Sequence, residues 1–365
     1  MNVAIACGGT GGHLFPGLAV AEVLRDRGHD VLLLISEKQI DSLAVRDRTD
    51  FKIERIPAVG LPRLLSLEIV AFTSKFLKGL FACRRVFKSF SPQAVLGMGG
   101  FTSTAPILAG RWSKIPTMIH ESNAIPGKAN RFNARFSNQV LLGFAECASY
   151  FPEKPFVVTG TPIRKSVKTQ IKKPEARRLL KLNPDLQTVA VIGGSQGAHG
   201  INETIAAALS HFAMKPVQFV HLTGREDHQY IYDRYKKEGV PAFIAAFHHR
   251  MEEIYSAADV IVARSGAASL SEMAYFGCVA ILIPYPFAAE DHQTLNAKIF
   301  QQASAAEVIA SESANGDSVA SLIEQLLANP ERRELLSNNM RRLATKDAAM
   351  EICKLVETAG NGSSR

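Results

Sequence analysis

The residues with chemical potential cluster at glycine-rich turns. Cys7-Gly8-Gly9-Thr10-Gly11-Gly12-His13 follows the apolar run Val3–Ala6 and precedes residues with helical apolar spacing. Glycines let backbone N–H groups approach an anion, and a following helix start adds its positive dipole end. The spacing fails the dinucleotide fingerprint, because a G-x-G-x-x-G read from Gly9 meets Leu14 where glycine is required. The loop therefore points to a phosphate or sugar rather than to NAD. His13 and His120 lie near the first turns and titrate in the range useful for proton transfer. A second set occupies the latter half: Gly193-Gly194-Ser195-Gln196-Gly197-Ala198, then Arg264-Ser265-Gly266, with Glu272 a short way into the next helix. Ser195 is suited to meet phosphate at a helix start, or simply to cap the helix. Glu272 could accept a pair of ribose hydroxyls, and Arg164 could reach a diphosphate; the plain alternatives are helix solubility and a surface ion pair.

Gly193–Gly197 also fits G-x-S-x-G, the nucleophile elbow of esterases. Asp259 or Asp291 followed by His292 would complete the order Ser-Asp-His, so a serine hydrolase is one alternative reading. A non-catalytic sugar-nucleotide binding protein is another. The chain contains no H-E-x-x-H, no carboxylate cluster with metal-ligand spacing and no P-loop lysine, so neither metal nor other cofactor is expected.

These turns need elements to hold them. Asp30–Ser36, Phe51–Val59, Ala94–Gly97, Thr117–Asn123, Gln139–Gly143 and Phe156–Gly160 are short apolar runs typical of parallel strands buried on both faces. The strand-then-glycine theme restarts at Thr188–Ile192, with further strands at Val217–Leu222, Ala242–Phe247, Asp259–Ala263 and Val279–Pro284, and a helix beginning near Asn202. Two similar α/β domains in tandem follow, Rossmann-like, with parallel sheets facing each other across a cleft. The boundaries fall at 1–162, 163–345, and a C-terminal helix and tail at 346–365 that could pack back on the first domain. Residues 316–360 have the pattern of surface helices.

Composition agrees. A chain of 365 residues with 47% hydrophobic and 21% charged residues is globular and long enough for two domains. Five scattered cysteines without a CxxC pair suit reduced thiols in the cytoplasm. The start looks like a first strand, not a signal peptide. Residues 1–160 carry 19 basic against 12 acidic residues and so hold most of the net charge of +8. That half could face nucleic acid, anionic lipid or a phosphorylated substrate. Leu61–Ser91 narrows the choice. It interleaves Phe72, Phe76 and Leu80 with Lys75, Lys78 and Arg85, and Glu68 is its only acid. It is either a buried helix with snorkelling lysines or an amphipathic surface that dips into an anionic membrane.

In order along the chain, GGTGGHLFPGLAVA, GMGGFTS (97–103), HESN (120–123), TGTPIR (159–164), GGSQGA (193–198), RSGAASLSE (264–272) and DHQTLNA (291–297) closely resemble the MurG family of peptidoglycan glycosyltransferases, over nearly the whole chain. The resemblance implies the two-lobed GT-B architecture and an inverting transfer of N-acetylglucosamine from UDP-GlcNAc to the 4-hydroxyl of the muramyl sugar of lipid I, giving lipid II. It implies a hexosyltransferase peripheral to the cytoplasmic face of the bacterial inner membrane, acting in cell-wall biogenesis, cell shape and division. Cell-wall and division proteins are then candidate partners, and nucleic acid is not. By position, Ser195 and Arg164 would contact the donor diphosphate. Ala267, Ala268, Ser269, Leu270, Ser271 and Glu272 would hold diphosphate and ribose, His248 the uracil through its backbone, and Gln293 the sugar. Thr10, Gly11, Gly12 and Asn123 would face the GlcNAc and acceptor, with His13 as the base. Phe72, Lys75, Phe76 and Leu80 would serve membrane association. Serine in HESN and threonine in TGTPIR depart from the usual glutamine and asparagine, and His248-His249-Arg250 replaces an expected acidic version.

Overall fold

The computed structural model describes residues 1–37, 45, 48–57, 68–193 and 198–362. It divides into two compact units, 1–164 together with 347–365, and 165–346.

The first unit is built on a seven-stranded parallel sheet. Its strands are β1 (Asn2–Ala6), β2 (Asp30–Ser36), β3 (Lys52–Ile56), β4 (Ala94–Gly97), β5 (Thr117–Glu121), β6 (Gln139–Leu142) and β7 (Phe156–Val158), in the spatial order β3-β2-β1-β4-β5-β6-β7. Its helices are α1 (Gly11–Asp26), α2 (Glu68–Phe90), α3 (Thr104–Trp112), α4 (Lys128–Ala134) and the C-terminal α13 (Ala348–Gly362). Strand alternation divides the core between the two faces. Val3, Ile5, Leu33 and Ile35 pack with Leu14 and Leu18 of α1 and Ile352 and Val356 of α13. Ala4, Leu32, Leu34 and Val95 pack with Leu80, Phe87 and Ile107 of α2 and α3. Helix α13 is therefore a core helix rather than a surface one. Glu357 fastens it, pairing with Arg27 at 2.7 Å and His29 at 2.7 Å.

The second unit repeats the plan with six parallel strands. They are β8 (Gln187–Ile192), β9 (Val217–Leu222), β10 (Ala242–Ala245), β11 (Val260–Ala263), β12 (Ala280–Leu282) and β13 (Ala306–Val308), ordered β10-β9-β8-β11-β12-β13. Its helices are α5 (Lys173–Leu179), α6 (His199–Ala208), α7 (His228–Glu238), α8 (Met251–Ala257), α9 (Ala267–Phe276), α10 (His292–Gln302), α11 (Gly316–Ala328) and α12 (Pro330–Arg342). Val189, Val191, Phe219, Val260 and Ile281 bury against Ile201, Ile205 and Ile323. Helix α11 thus belongs to the core as well, and begins with a capping box between Asn315 and Ser318. In both sheets the order reverses between two strands, β1/β4 and β8/β11. That switch point is where open α/β sheets leave a crevice beyond the strands' carboxyl ends.

The candidate glycosyl-transfer site

In the first unit, both glycine turns at the switch point meet on one imidazole. Helix α1 can sit on the end of β1 only because Gly17 lacks a side chain; a Cβ there would lie 2.3 Å from Cys7 Cβ. Thr10 occupies the N-cap with extended backbone, yet its hydroxyl does not cap the helix. Instead Thr10 Oγ1 lies 3.1 Å from His13 Nδ1. On the other side are Gly99 (φ +108°) and Gly100 (φ +68°), in conformations that favour glycine. A Cβ on Gly99 would stand 2.8 Å from His13 Cδ2 and 2.9 Å from Nε2. The half-buried ring of His13 is thereby held between Thr10 and the second turn. Gly11 is buried beside it and Gly12 is exposed. Pro16, one turn on, has no N–H for the Gly12 carbonyl, so that acceptor is left out of the helix ladder.

His120 does not share the role expected of it. It is fully buried, its Nε2 lies 2.9 Å from the Gly160 carbonyl, and Ser122 Oγ is 3.3 Å from Nδ1. Burial lowers its pKa to about 4, so the ring is a neutral fastener that donates to Gly160, not a proton-transfer group. Its neighbour Glu121 carries a role that the sequence did not disclose. The buried carboxylate accepts hydrogen bonds from Asn123 N–H (2.9 Å), Gly127 N–H (3.1 Å) and Asn130 Nδ2 (2.9 Å). Burial raises its pKa against the pull of those donors. The loop that presents Asn123 is therefore folded around one carboxylate. Arg164 belongs to this unit too, with its guanidinium carbon 4.2 Å from the centroid of Phe15 in α1. Its buried Nε has no hydrogen-bond partner among the described residues.

In the second unit Gly193 directly follows β8, while Ser195 lies outside the described residues. At the other switch-point strand, Gly266 is extended and α9 starts at Ala267. The Leu270 N–H already bonds the Gly266 carbonyl at 2.9 Å. The N–H groups of Ala267, Ala268 and Ser269 are thus the ones the helix leaves for an anion, and no acid occupies that turn. Leu270 is fully buried and its N–H is spent, so it offers a ligand neither group. The Ser271 hydroxyl is likewise committed to the Ala267 carbonyl at 3.0 Å. Glu272 is half-buried, and its carboxylate accepts Tyr255 O–H at 2.8 Å.

Arg264 holds this corner together. Its Nη1 lies 3.0 Å from both the Ile283 and Pro284 carbonyls and 3.2 Å from Ser311 Oγ, and burial lowers its pKa. Ser265 Oγ donates to the Gln293 carbonyl at 2.8 Å, and Tyr285 N–H donates to Gln293 Oε1 at 2.9 Å. The amide nitrogen of Gln293 makes no hydrogen bond among the described residues, which leaves it as the donor for a ligand. Glu290 and Asp291, just before α10, both hold positive φ, a strained turn typical of functional loops. His248 Nε2 is 2.8 Å from Glu253 Oε2, and Arg250 pairs with the other oxygen at 2.8 Å. The basic residues of this segment are thus balanced by Glu253 from the first turn of α8. Among the described residues neither backbone group of His248 is used by another backbone group.

The hydrolase arrangement with Asp259 fails on geometry. Asp259 precedes β11, where it binds Lys173, Arg177 and the Thr188 N–H at the amino ends of the strands. The Gly193 turn follows the opposite end of β8, about 15–20 Å away for a strand of this length.

Helix α2 divides its faces otherwise than expected. Leu80 is 2% exposed and belongs to the core with Cys83 and Phe87, so it cannot touch a membrane. Phe72 and Phe76, stacked at 6.1 Å, are half-buried, and Phe76 packs against that core; Lys75 is exposed. Leu80 and Phe76 thus turn toward the core. The outward apolar residues include Leu77, 43% exposed, Phe81, 62% exposed, and Trp112 of α3, 57% exposed, with Arg84 5.8 Å from the indole. A groove of about 550 Å³ beside them is lined by Phe81, Arg84, Arg85, Lys88 and Ile115. No helix among the described residues is long and apolar enough to cross a membrane.

Two doubly wound parallel-sheet units, each with its polar groups at the switch point, give the GT-B architecture, and the sequence matches make the chain a glycosyltransferase of that class. Residues 3–142 match the glycosyltransferase family 28 N-terminal domain, and residues 188–352 match the C-terminal domain. The chain is 37% identical to a Geobacter sulfurreducens UDP-N-acetylglucosamine–N-acetylmuramyl-(pentapeptide) pyrophosphoryl-undecaprenol N-acetylglucosamine transferase, over 96% of this chain and 97% of that one. It is 34% identical to the Halothermothrix orenii protein of the same name over the full length of both. The crystal structure of Acinetobacter baumannii MurG superposes with a TM-score of 0.76 at 28% identity, covering 98% of this chain and 99% of that one. The chain belongs to the MurG family.

Proposed function

We propose that the chain is a hexosyltransferase of peptidoglycan synthesis. It moves N-acetylglucosamine from UDP-GlcNAc to the 4-hydroxyl of the muramyl sugar of lipid I, with inversion, and forms lipid II. The observation that carries this reading is the 37% identity, over 96% of the chain, to a relative whose name states that transfer. The site chemistry suits it. When His13 Nδ1–H donates to Thr10 Oγ1, Nε2 keeps its lone pair and can take the proton of the attacking hydroxyl. Thr10, Gly11, Gly12 and Asn123 surround the sugar and the acceptor.

UDP departs with developing negative charge, which preorganised donors stabilise. In this reading those donors are the N–H groups of Ala267, Ala268 and Ser269 together with Arg164 and Ser195. Glu272 takes the ribose hydroxyls, the backbone of His248 the uracil, and Gln293 the hexosamine. The acceptor is lipid-linked, and the Phe81–Trp112 surface with Arg84, Arg85 and Lys88 is suited to rest on an anionic leaflet, with Lys75 and the edges of Phe72 and Phe76 beside it. In the same reading, peripheral attachment at the cytoplasmic face and roles in cell shape and division are what the family implies for this chain. The test is incubation with labelled UDP-GlcNAc and a lipid I analogue. A disaccharide product is expected, and its absence despite binding of both substrates would overturn the reading.

A further inference from the structure

A chain of buried hydrogen bonds in the second unit ends on one solvent-facing imidazole. Tyr235 O–H lies 3.2 Å from His221 Nδ1, and His221 Nε2 lies 3.0 Å from Asn202 Oδ1. His221 is fully buried and its pKa falls to about 3, chiefly from desolvation, so it is neutral and donates its Nε2–H to the amide oxygen. That donation fixes the orientation of Asn202, whose Nδ2 donates to Asp227 Oδ2 at 2.7 Å and to the Thr223 carbonyl at 2.8 Å. The Asp227 carboxylate, in turn, lies 3.0 Å from His199 Nδ1. An ordinary surface ion pair has no such backing, because its carboxylate is free to swing. Here the carboxylate side chain is only 16% exposed while the imidazole is 68% exposed.

The position of this imidazole gives it a task. His199 is the first residue of α6, which follows the turn at the carboxyl end of β8, and Asp227 follows the end of β9. Arg264 approaches from the neighbouring strand end, with its Nη2 3.4 Å from where a Cβ on Gly200 would be. We propose that His199, oriented by Asp227, is a further donor-binding residue that gives a charged hydrogen bond to the diphosphate of the sugar nucleotide. The inference rests on the UDP-GlcNAc reading above.

The charged groups facing the ring are Asp227 and Glu226 from the β9–α7 turn and Glu203 on its own helix, 3.4 Å from Nε2; Arg264 lies beside Gly200, the next residue. Asp227 foremost raises the imidazole's pKa. The ring therefore holds its proton to higher pH than an unpaired imidazole and loses its charge as pH rises through the raised value. Asp227 is then a positioning residue acting through His199.

The experiment measures UDP-GlcNAc binding to the full chain by calorimetry between pH 6 and 8, below the titration of the uracil ring and without acceptor. UDP-GlcNAc is the suitable probe because neither of its phosphates titrates in that range. The wild-type chain should bind more weakly as pH rises. His199→Gln should bind about tenfold more weakly at pH 6, the loss of one charge-assisted hydrogen bond, and should show no such pH dependence. Asp227→Asn should move the falling limb to lower pH while His199 remains. Thermal unfolding of each variant identifies any that fail to fold, and the exposed His199→Gln is expected to be as stable as the wild type. Wild-type affinity and pH profile in His199→Gln would overturn the inference. Failure of the wild type to bind UDP-GlcNAc at any pH would instead overturn the donor reading itself.

Discussion

Replacing Gly99 by alanine tests whether the His13 imidazole must sit where the two turns hold it. The new Cβ would meet His13 Cδ2 at 2.8 Å and Nε2 at 2.9 Å, so the ring must retreat by about 0.6 Å to reach an ordinary 3.4 Å contact. The backbone cannot relieve the clash cheaply, because φ at Gly99 is +108°, a conformation that costs an L-residue about 1–3 kcal/mol. Misplacing a reacting group by up to 1 Å costs about 10²-fold in rate. Gly99→Ala should therefore lower kcat by about 10–100-fold and lower Tm by several degrees, while UDP-GlcNAc affinity stays at the wild-type level. The assay is product formation with a soluble lipid I analogue at a temperature where the variant is folded, beside calorimetric titration of the donor. Combining Gly99→Ala with His13→Ala sharpens it. If the methyl group acts through the ring, the double variant should be no slower than His13→Ala alone. Normal turnover in Gly99→Ala, or additive losses in the double variant, would refute the reasoning.

His13→Ala by itself should lower kcat by about 10²–10⁴-fold, as removal of a general base does, and a near-normal rate would move that role to another residue. Phe81→Ser with Trp112→Ser should weaken partition onto anionic vesicles by about tenfold or more with little change in stability; unchanged partition would remove this surface from the membrane reading. Leu80→Ala should instead destabilise by about 2–5 kcal/mol in denaturant unfolding, because the residue lies in the core. The Arg27 guanidinium, aided by His29, lowers the Glu357 pKa to about 2. A depressed carboxyl stabilises the fold above its unfolded value near 4.5 and loses that contribution as pH falls toward 2. Acid unfolding curves should therefore fall more steeply for the wild type than for Glu357→Gln across that window, and parallel curves would show that the pairing contributes nothing.

The two glycine-turn units and most strands are legible in the sequence because a strand buried on both faces must be a continuous apolar run. Asp30–Ser36 and Val217–Leu222 appear with the bounds that the structure gives them. Strand β13 is not legible, since Ala-Glu-Val at the sheet edge is too short and mixed to stand out. The seven ordered motifs likewise sufficed for the family, because the spacing of glycines and polar residues is itself a record of how closely a backbone must approach a ligand.

What the sequence could not decide is which side chains face one another. Helical periodicity marks Phe72, Phe76 and Leu80 as one stripe, but only packing shows that Phe76 and Leu80 turn toward the core and that Phe81 and Trp112 face out. His13 and His120 are equal candidates as residue types. Burial and the Gly160 carbonyl make His120 a fixed neutral donor, whereas Thr10 and Gly99 hold the ring of His13 at the switch point. The Glu121 carboxylate and the chain from Tyr235 to His199 join residues up to 36 positions apart in sequence, so no local pattern announces them. Local spacing records the backbone's own conformational needs; proximity between distant side chains is settled only when the sheets bring their strand ends together.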